Sequence, residues 1–126
     1  MAEKGLFCGL NRPADPQNLS EMEKKHIPVI DCPEVVKAGE PFKVTVRVGE
    51  VPHVMEEGHH IQWIDLYSGS NFLAKVLLTP AFTRAEATVT LVKAGKHRRS
   101  TLRALERCNL HGLWEGTKEI EITGGE

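Results

Sequence analysis

The most regular stretch of the chain is PFKVTVRVG, in which Val44, Val46 and Val48 alternate with Lys43, Thr45 and Arg47. Period-two alternation sends the valines to one face and the polar residues to the other, as in a half-buried strand. Runs of the same kind, less strict, are IQWIDLY from Ile61, NFLAKVLLT from Asn71, EATVTLVK from Glu86, STLRALERC from Ser100 and TKEIEIT from Thr117. HIPVI, from His26, makes a seventh. Breaks such as AGE, YSGSN and KAGKH read as turns between them. Seven short strands of this spacing predict an all-β fold, an antiparallel immunoglobulin-like sandwich or barrel. Residues 1–21, broken by Gly5, Gly9, Pro13 and Pro16, read as an irregular N-terminal arm, and 22–126 as one β domain. Ser20 and Glu23 have the spacing of a capping box, so a helical turn is expected at the end of the arm, closed by Pro28.

Composition narrows the function classes. A chain of 126 residues fits one domain, and 40% hydrophobic with 26% charged residues is ordinary for a globular protein. Sixteen basic against seventeen acidic side chains leave a formal charge of −1, so no global field favours nucleic acid or a membrane surface as partner. Any attraction for an anion must be local. With no signal-peptide pattern and no apolar run long enough for a bilayer, a cytoplasmic location is expected. Three cysteines without a CxxC motif do not suggest a disulfide scaffold, and Cys8 and Cys32 read as small fillers.

Cys108 differs because of its neighbours. Five of the six histidines fall in three short segments: His26; HVMEEGHH with His53, His59 and His60; and CNLHGLW with Cys108 and His111. Each lies where a predicted strand meets a loop, the usual place for a β scaffold to present ligands. A thiolate and an imidazole three positions apart on a tight loop, as in CNLH, can reach one metal. Each residue also has an ordinary reading. A lone histidine at a strand end is more often a surface residue than a ligand; joint occurrence is what argues for a metal. His60 adjoins His59, and consecutive strand residues point to opposite faces, so at most one of the two joins the others. His97, in KAGKHRR, reads as a solvated turn residue; Trp63 and Trp114 as core or capping aromatics; Met22 and Met55 as packing; Glu56 and Glu57 as solvated acids.

Four imidazoles and one thiolate exceed what structural zinc takes, and five donors leave a sixth position open. Nitrogen and sulfur donors of intermediate softness suit iron or copper, which points to redox chemistry on a small molecule. A blue-copper-like electron carrier is the alternative, but it would need an axial methionine after His111, and none follows Met55.

KHIP at Lys25 to Pro28, PHVMEEGHHIQWI at Pro52 to Ile64 and CNLHGLW at Cys108 to Trp114 resemble the superoxide reductases, specifically the one-iron neelaredoxin type. The resemblance runs from about Met22 to the C-terminus. It implies a seven-stranded immunoglobulin-like barrel, a homotetramer, and one mononuclear iron cycling between Fe2+ and Fe3+. It assigns His26, His53, His59 and His111 as equatorial ligands and Cys108 as the axial one, favouring His59 over His60. The implied reaction reduces superoxide by one electron, with two protons, to hydrogen peroxide, the electron coming from a donor such as rubredoxin. Lys25 matches the family lysine that guides the anion. One position departs from the pattern: where the family places a glutamate that caps the oxidised iron, this chain has Lys24. The ferric site is therefore expected to be open, water-bound or capped by another group, Glu23 being a candidate if the loop shifts, with Lys24 adding to the local positive field.

Overall fold

The computed structural model describes residues 5–95 and 97–124. Among them are nine strands and one short helix: β1 (Leu10–Asn11), α1 (Glu21–His26), β2 (Pro28–Asp31), β3 (Val35–Lys37), β4 (Phe42–Val48), β5 (Ile61–Ser68), β6 (Asn71–Leu77), β7 (Glu86–Leu91), β8 (Arg99–Cys108) and β9 (Gly112–Thr123). One sheet runs β1-β9-β8-β5-β6, with β3 also on β9, and the other runs β2-β4-β7. All seven expected strands are present, and the two sheets enclose the core as a β-sandwich. Val44, Val46 and Val48 are almost fully buried against Ile61, Leu66, Leu102 and Ile120.

Two features depart from the sequence pattern. β1 and β3 pair in parallel with β9, so the architecture is not wholly antiparallel; two or three residues are too few to show a period. β9 begins at Gly112 rather than Thr117, because CNLHG makes a tight reversal that pairs Cys108 with Gly112. Gly112 has φ +82°, and a Cβ there would lie 2.4 Å from the carbonyl oxygen of Leu6, so conformation and space both demand glycine.

The helical turn forms where the capping box placed it. Ser20 Oγ accepts from the Glu23 backbone N–H, and Glu23 Oε1 accepts from the Ser20 N–H at 2.8 Å. Glu21 and Glu23 sit in the first turn and Lys24, Lys25 and His26 in the last, the charge order that the helix dipole favours. The C-terminal end is seated closely on β4: the Lys24 carbonyl accepts from Glu50, and a Cβ on Gly49 would lie 2.3 Å from that carbonyl oxygen. His26 is thereby fixed at the junction of helix and barrel.

The arm is tied to the sheet through Glu115. Its Oε1 accepts from Arg12 Nε at 2.8 Å, and its Oε2 accepts from Arg103 Nε at 2.8 Å and lies 2.7 Å from Arg103 Nη2. Burial pushes the Glu115 carboxyl up, but the two guanidinium groups outweigh it and hold the group below the ordinary carboxylate range. Glu115→Ala is expected to cost about 2 kcal/mol at pH 7, since it strands the half-buried Arg103. The depressed carboxyl stabilises the fold above the ordinary carboxylate pKa of 4.5 and loses this contribution as pH falls through its folded value. The deficit of the variant in urea midpoint should thus shrink below about pH 4.5; a deficit that stayed constant to pH 3 would contradict the assignment.

Candidate metal centre

Three segments far apart in sequence converge at one end of the sandwich. His26 arrives as the last residue of α1, His53 and His59 from the β4–β5 loop, and Cys108 and His111 from the β8–β9 turn. One potential ligand atom from each of the five lies within 4.8 Å of all the others. The four rings form a closed square, with centroid separations of 4.8 Å (His26–His53), 4.6 Å (His53–His59), 5.1 Å (His59–His111) and 4.7 Å (His111–His26), each meeting its neighbour edge-on. The sulfur of Cys108 lies 3.6 Å from His53 Nε2 and 3.5 Å from His111 Nδ1, and it is fully buried.

The tautomers follow from the hydrogen bonds. His26 Nδ1 is 2.7 Å from the Met22 carbonyl, and His53 Nδ1 is 2.7 Å from the Val54 carbonyl. A carbonyl only accepts, so both Nδ1 atoms carry the proton and both Nε2 atoms present lone pairs. Those two Nε2 atoms face each other at 3.2 Å. Two lone pairs at that distance repel unless a cation lies between them. His59 Nε2 is buried without a hydrogen-bond partner among the described residues, another donor atom aimed inward with nothing to receive it. Burial is the leading cause that lowers the basicity of His26, to a pKa of about 4, and of His53 and His111, so all three are neutral near pH 7, as metal binding requires. The donor set and its unsatisfied lone pairs fit a single metal ion.

Cys108 is held differently. Burial pushes its thiol up, while the backbone N–H groups of Leu110 and His111 donate to the sulfur and pull it down. From the loop, Asn109 and Leu110 would be the natural pair of donors. Instead the Asn109 N–H donates to the His60 carbonyl at 3.1 Å, its Oδ1 accepts from the His60 N–H at 2.9 Å, and its Nδ2 donates to the Gly58 carbonyl at 3.1 Å. Asn109 therefore staples the histidine loop to the cysteine turn, a role that CNLH alone did not reveal.

Only one of the adjacent histidines joins the cluster. The Glu56 and His59 backbones exchange hydrogen bonds across a tight hairpin, and His60 turns its Nδ1 to the Glu56 carbonyl. His97 is exposed and absent from the cluster. Trp114 stacks on His26 at 5.1 Å and 24°, and its Nε1 donates to the His111 carbonyl at 3.0 Å, so it both caps the core and braces two of the imidazoles.

A cavity of about 610 Å3 opens over the square, with all four rings in its wall but not Cys108. The sulfur thus lies behind the imidazoles and the open side faces the cavity. Lys25, Glu21 and Glu56 stand at its rim. Lys24 does not line it. On a helix at 100° per residue Lys24 lies about 160° around from His26, and its ammonium is 3.7 Å from the Glu21 carboxylate. Glu23 faces away as well, held in the capping box and accepting from the Ala14 N–H at 3.0 Å. Glu23, a candidate cap only if its segment shifted, is fixed in the capping box, which leaves Glu21 and Glu56 as the carboxylates at the cavity.

Glu106 was also hidden from motif reading. It lies on β8 two residues before Cys108, is fully buried, and has no hydrogen-bond partner for either oxygen among the described residues. Burial pushes its pKa up to about 9, so it is a neutral carboxylic acid at physiological pH.

Known proteins share this framework. The desulfoferrodoxin family model matches residues 18–117. A putative superoxide reductase of Methanocaldococcus jannaschii is 44% identical over 115 residues, spanning 90% of this chain and 95% of the relative. The superoxide reductase of Pyrococcus abyssi is 38% identical over 105 residues, spanning 78% and 89%. Among solved structures, a variant of the superoxide reductase (neelaredoxin) of Ignicoccus hospitalis superposes with a TM-score of 0.76 at 37% identity, over 90% of this chain and 94% of its own. With its fold, its histidine and cysteine cluster and these matches in agreement, the chain belongs to the desulfoferrodoxin family.

Proposed function

We propose that the protein is a superoxide reductase of the one-iron type, and that His26, His53, His59, His111 and Cys108 would hold the iron. The observation that carries this reading is the square of imidazoles backed by a buried sulfur and open on its other side to a cavity. Bound there, iron would supply a one-electron couple whose potential the Cys108 thiolate would tune. The net reaction takes up superoxide, one electron from a donor and two protons, and gives hydrogen peroxide without dioxygen. A blue-copper carrier is not favoured: it would use two imidazoles and a methionine, whereas four imidazoles gather here and Met55 Sδ accepts from the Ile61 N–H.

The chain's own groups account for the rest. Met22 and Val54 carbonyls fix the imidazole protons away from the metal side, and Leu110 and His111 N–H groups temper the electron density of the sulfur. Lys25, at the rim, draws the anion toward the open side and stabilises negative charge there. Lys24, beside Glu21, screens a carboxylate that would repel the substrate. Lys25→Met should lower the bimolecular rate with superoxide by about tenfold at low ionic strength and flatten its salt dependence. A rate with the parent's salt slope would remove Lys25 from this role.

Assembly and setting follow the same reading. We infer a homotetramer in the cytoplasm, re-reduced by a small iron–sulfur protein such as rubredoxin, with residues 1–21 as an arm on the 22–126 domain. β6, at the edge of its sheet with Phe72, Leu73 and Leu77 exposed, supports contact between copies. No described helix is long and apolar enough to cross a membrane. Iron analysis combined with pulse-generated superoxide tests the function: one hydrogen peroxide per superoxide, donor oxidation and no dioxygen are expected. Dioxygen released for every two superoxides consumed would instead mean dismutation.

A further inference from the structure

At the opposite end of the sandwich, Ser68 closes β5 and Ser100 stands near the start of β8. Their hydroxyl oxygens are 2.6 Å apart, and Lys93 Nζ donates to Ser68 Oγ at 2.7 Å. An ammonium has only donors, so Ser68 accepts from Lys93, and it can in turn donate to Ser100, the arrangement that an anion in the cavity would favour. The Ser100 proton is then free to point outward. A donor chain that begins on a cation and ends on an unused O–H complements an acceptor bearing negative charge.

The chain borders a cavity of about 370 Å3, whose wall also includes Arg99, His97 and Thr101. No described residue lining it is acidic. Among the described residues no carboxylate lies within 4.0 Å of a nitrogen of Lys93 or Arg99. Glu121 stands opposite Arg99 across β8 and β9, so Lys93 is the main cation of the cavity and Arg99 a second one. Ser68 lies seven steps along β5 from Ile61 at the metal end, a distance of roughly 23 Å. This cavity is therefore separate from the metal centre and owes nothing to its chemistry.

We propose that the Lys93–Ser68–Ser100 relay and Arg99 form a binding site for a phosphate-class oxyanion, either inorganic phosphate or the phosphate end of a small monoester. The cavity is roomier than a bare phosphate needs, and a size above about 300 Å3 is typical of small-molecule pockets.

Calorimetric titration of the iron-loaded protein at fixed ionic strength tests this with inorganic phosphate and glycerol phosphate in separate arms. Saturable binding with Kd of about 5 mM or tighter is expected in at least one arm. Equal affinities identify free phosphate as the ligand, and a tighter monoester identifies the ester. Lys93→Met should weaken binding by about tenfold or more, and Ser100→Ala by several-fold, whereas Arg47→Met, exposed at the far end of β4, should have no effect. The proposal is overturned by the absence of saturable heat, by affinity indifferent to both Lys93→Met and Ser100→Ala, or by binding that Lys25→Met abolishes while Lys93→Met leaves it intact. That last result would put the anion at the metal.

Discussion

Cys108→Ser is expected to bleach the oxidised iron protein and lower its rate with superoxide by at least a hundredfold. The intense visible band of such a centre arises from charge transfer between thiolate and ferric iron, and a serine oxygen is too poor a donor to reproduce it. The fold should survive, because serine nearly matches the volume of cysteine and the Leu110 and His111 N–H groups can donate to its oxygen as they do to the sulfur. The cost to stability is that of burying a hydroxyl in place of a thiol, about 1–3 kcal/mol. A variant that kept both colour and rate would show that the sulfur is not the axial ligand. One that bound no iron would show that it is required for assembly, which the metal content of the purified variant separates from loss of chemistry.

Removal of iron should have an equally large effect on stability. In the metal-free protein the lone pairs of His26 Nε2 and His53 Nε2 face each other at 3.2 Å and His59 Nε2 is buried without a partner, so the apo site carries an unfavourable electrostatic arrangement. Metal binding relieves it and is linked to folding. At a thousandfold excess of free iron over Kd the gain is about 4 kcal/mol, or roughly 10 °C or more in Tm for a domain of this size. The chelated protein should therefore melt well below the iron form, and histidine NMR signals should show the rings of His26 and His53 rotating or exchanging. Coincident melting of the two forms would contradict a single shared metal among these residues.

The sequence was most informative where one face is buried and the other is wet. PFKVTVRVG and STLRALERC declare themselves because side chains alternate across a strand, and the structure buries Val44, Val46, Val48, Leu102, Ala104 and Cys108 accordingly. The same alternation places Glu106 on the inward face of β8, but no motif singles it out, and its neutral state depends on burial that only the fold creates. The histidine and cysteine segments were legible because metal-donor residue types are scarce enough for three clusters to be conspicuous. What remained hidden was direction. The Ser20–Glu23 box discloses a helical turn but not that it runs on to His26, which is what turns Lys24 and Glu23 away from that histidine. Nor does CNLH disclose that the Asn109 side chain spans two loops 49 residues apart. β1 and β3 escaped because their pairing with β9 is dictated by the docked arm and the β2–β4 crossing, not by any period of their own.

The burial of Cys108 behind the imidazoles has a consequence for the lifetime of the enzyme. Its product is an oxidant that attacks thiolates in proportion to their exposure. The wall of the cavity contains the four rings but not the sulfur, and the sulfur itself is inaccessible to solvent. Cys8, by contrast, is exposed. On the proposed ligand set, a product released into the cavity would meet four imidazoles before the one buried thiol, and the fold would shield that thiol from the oxidant formed beside it.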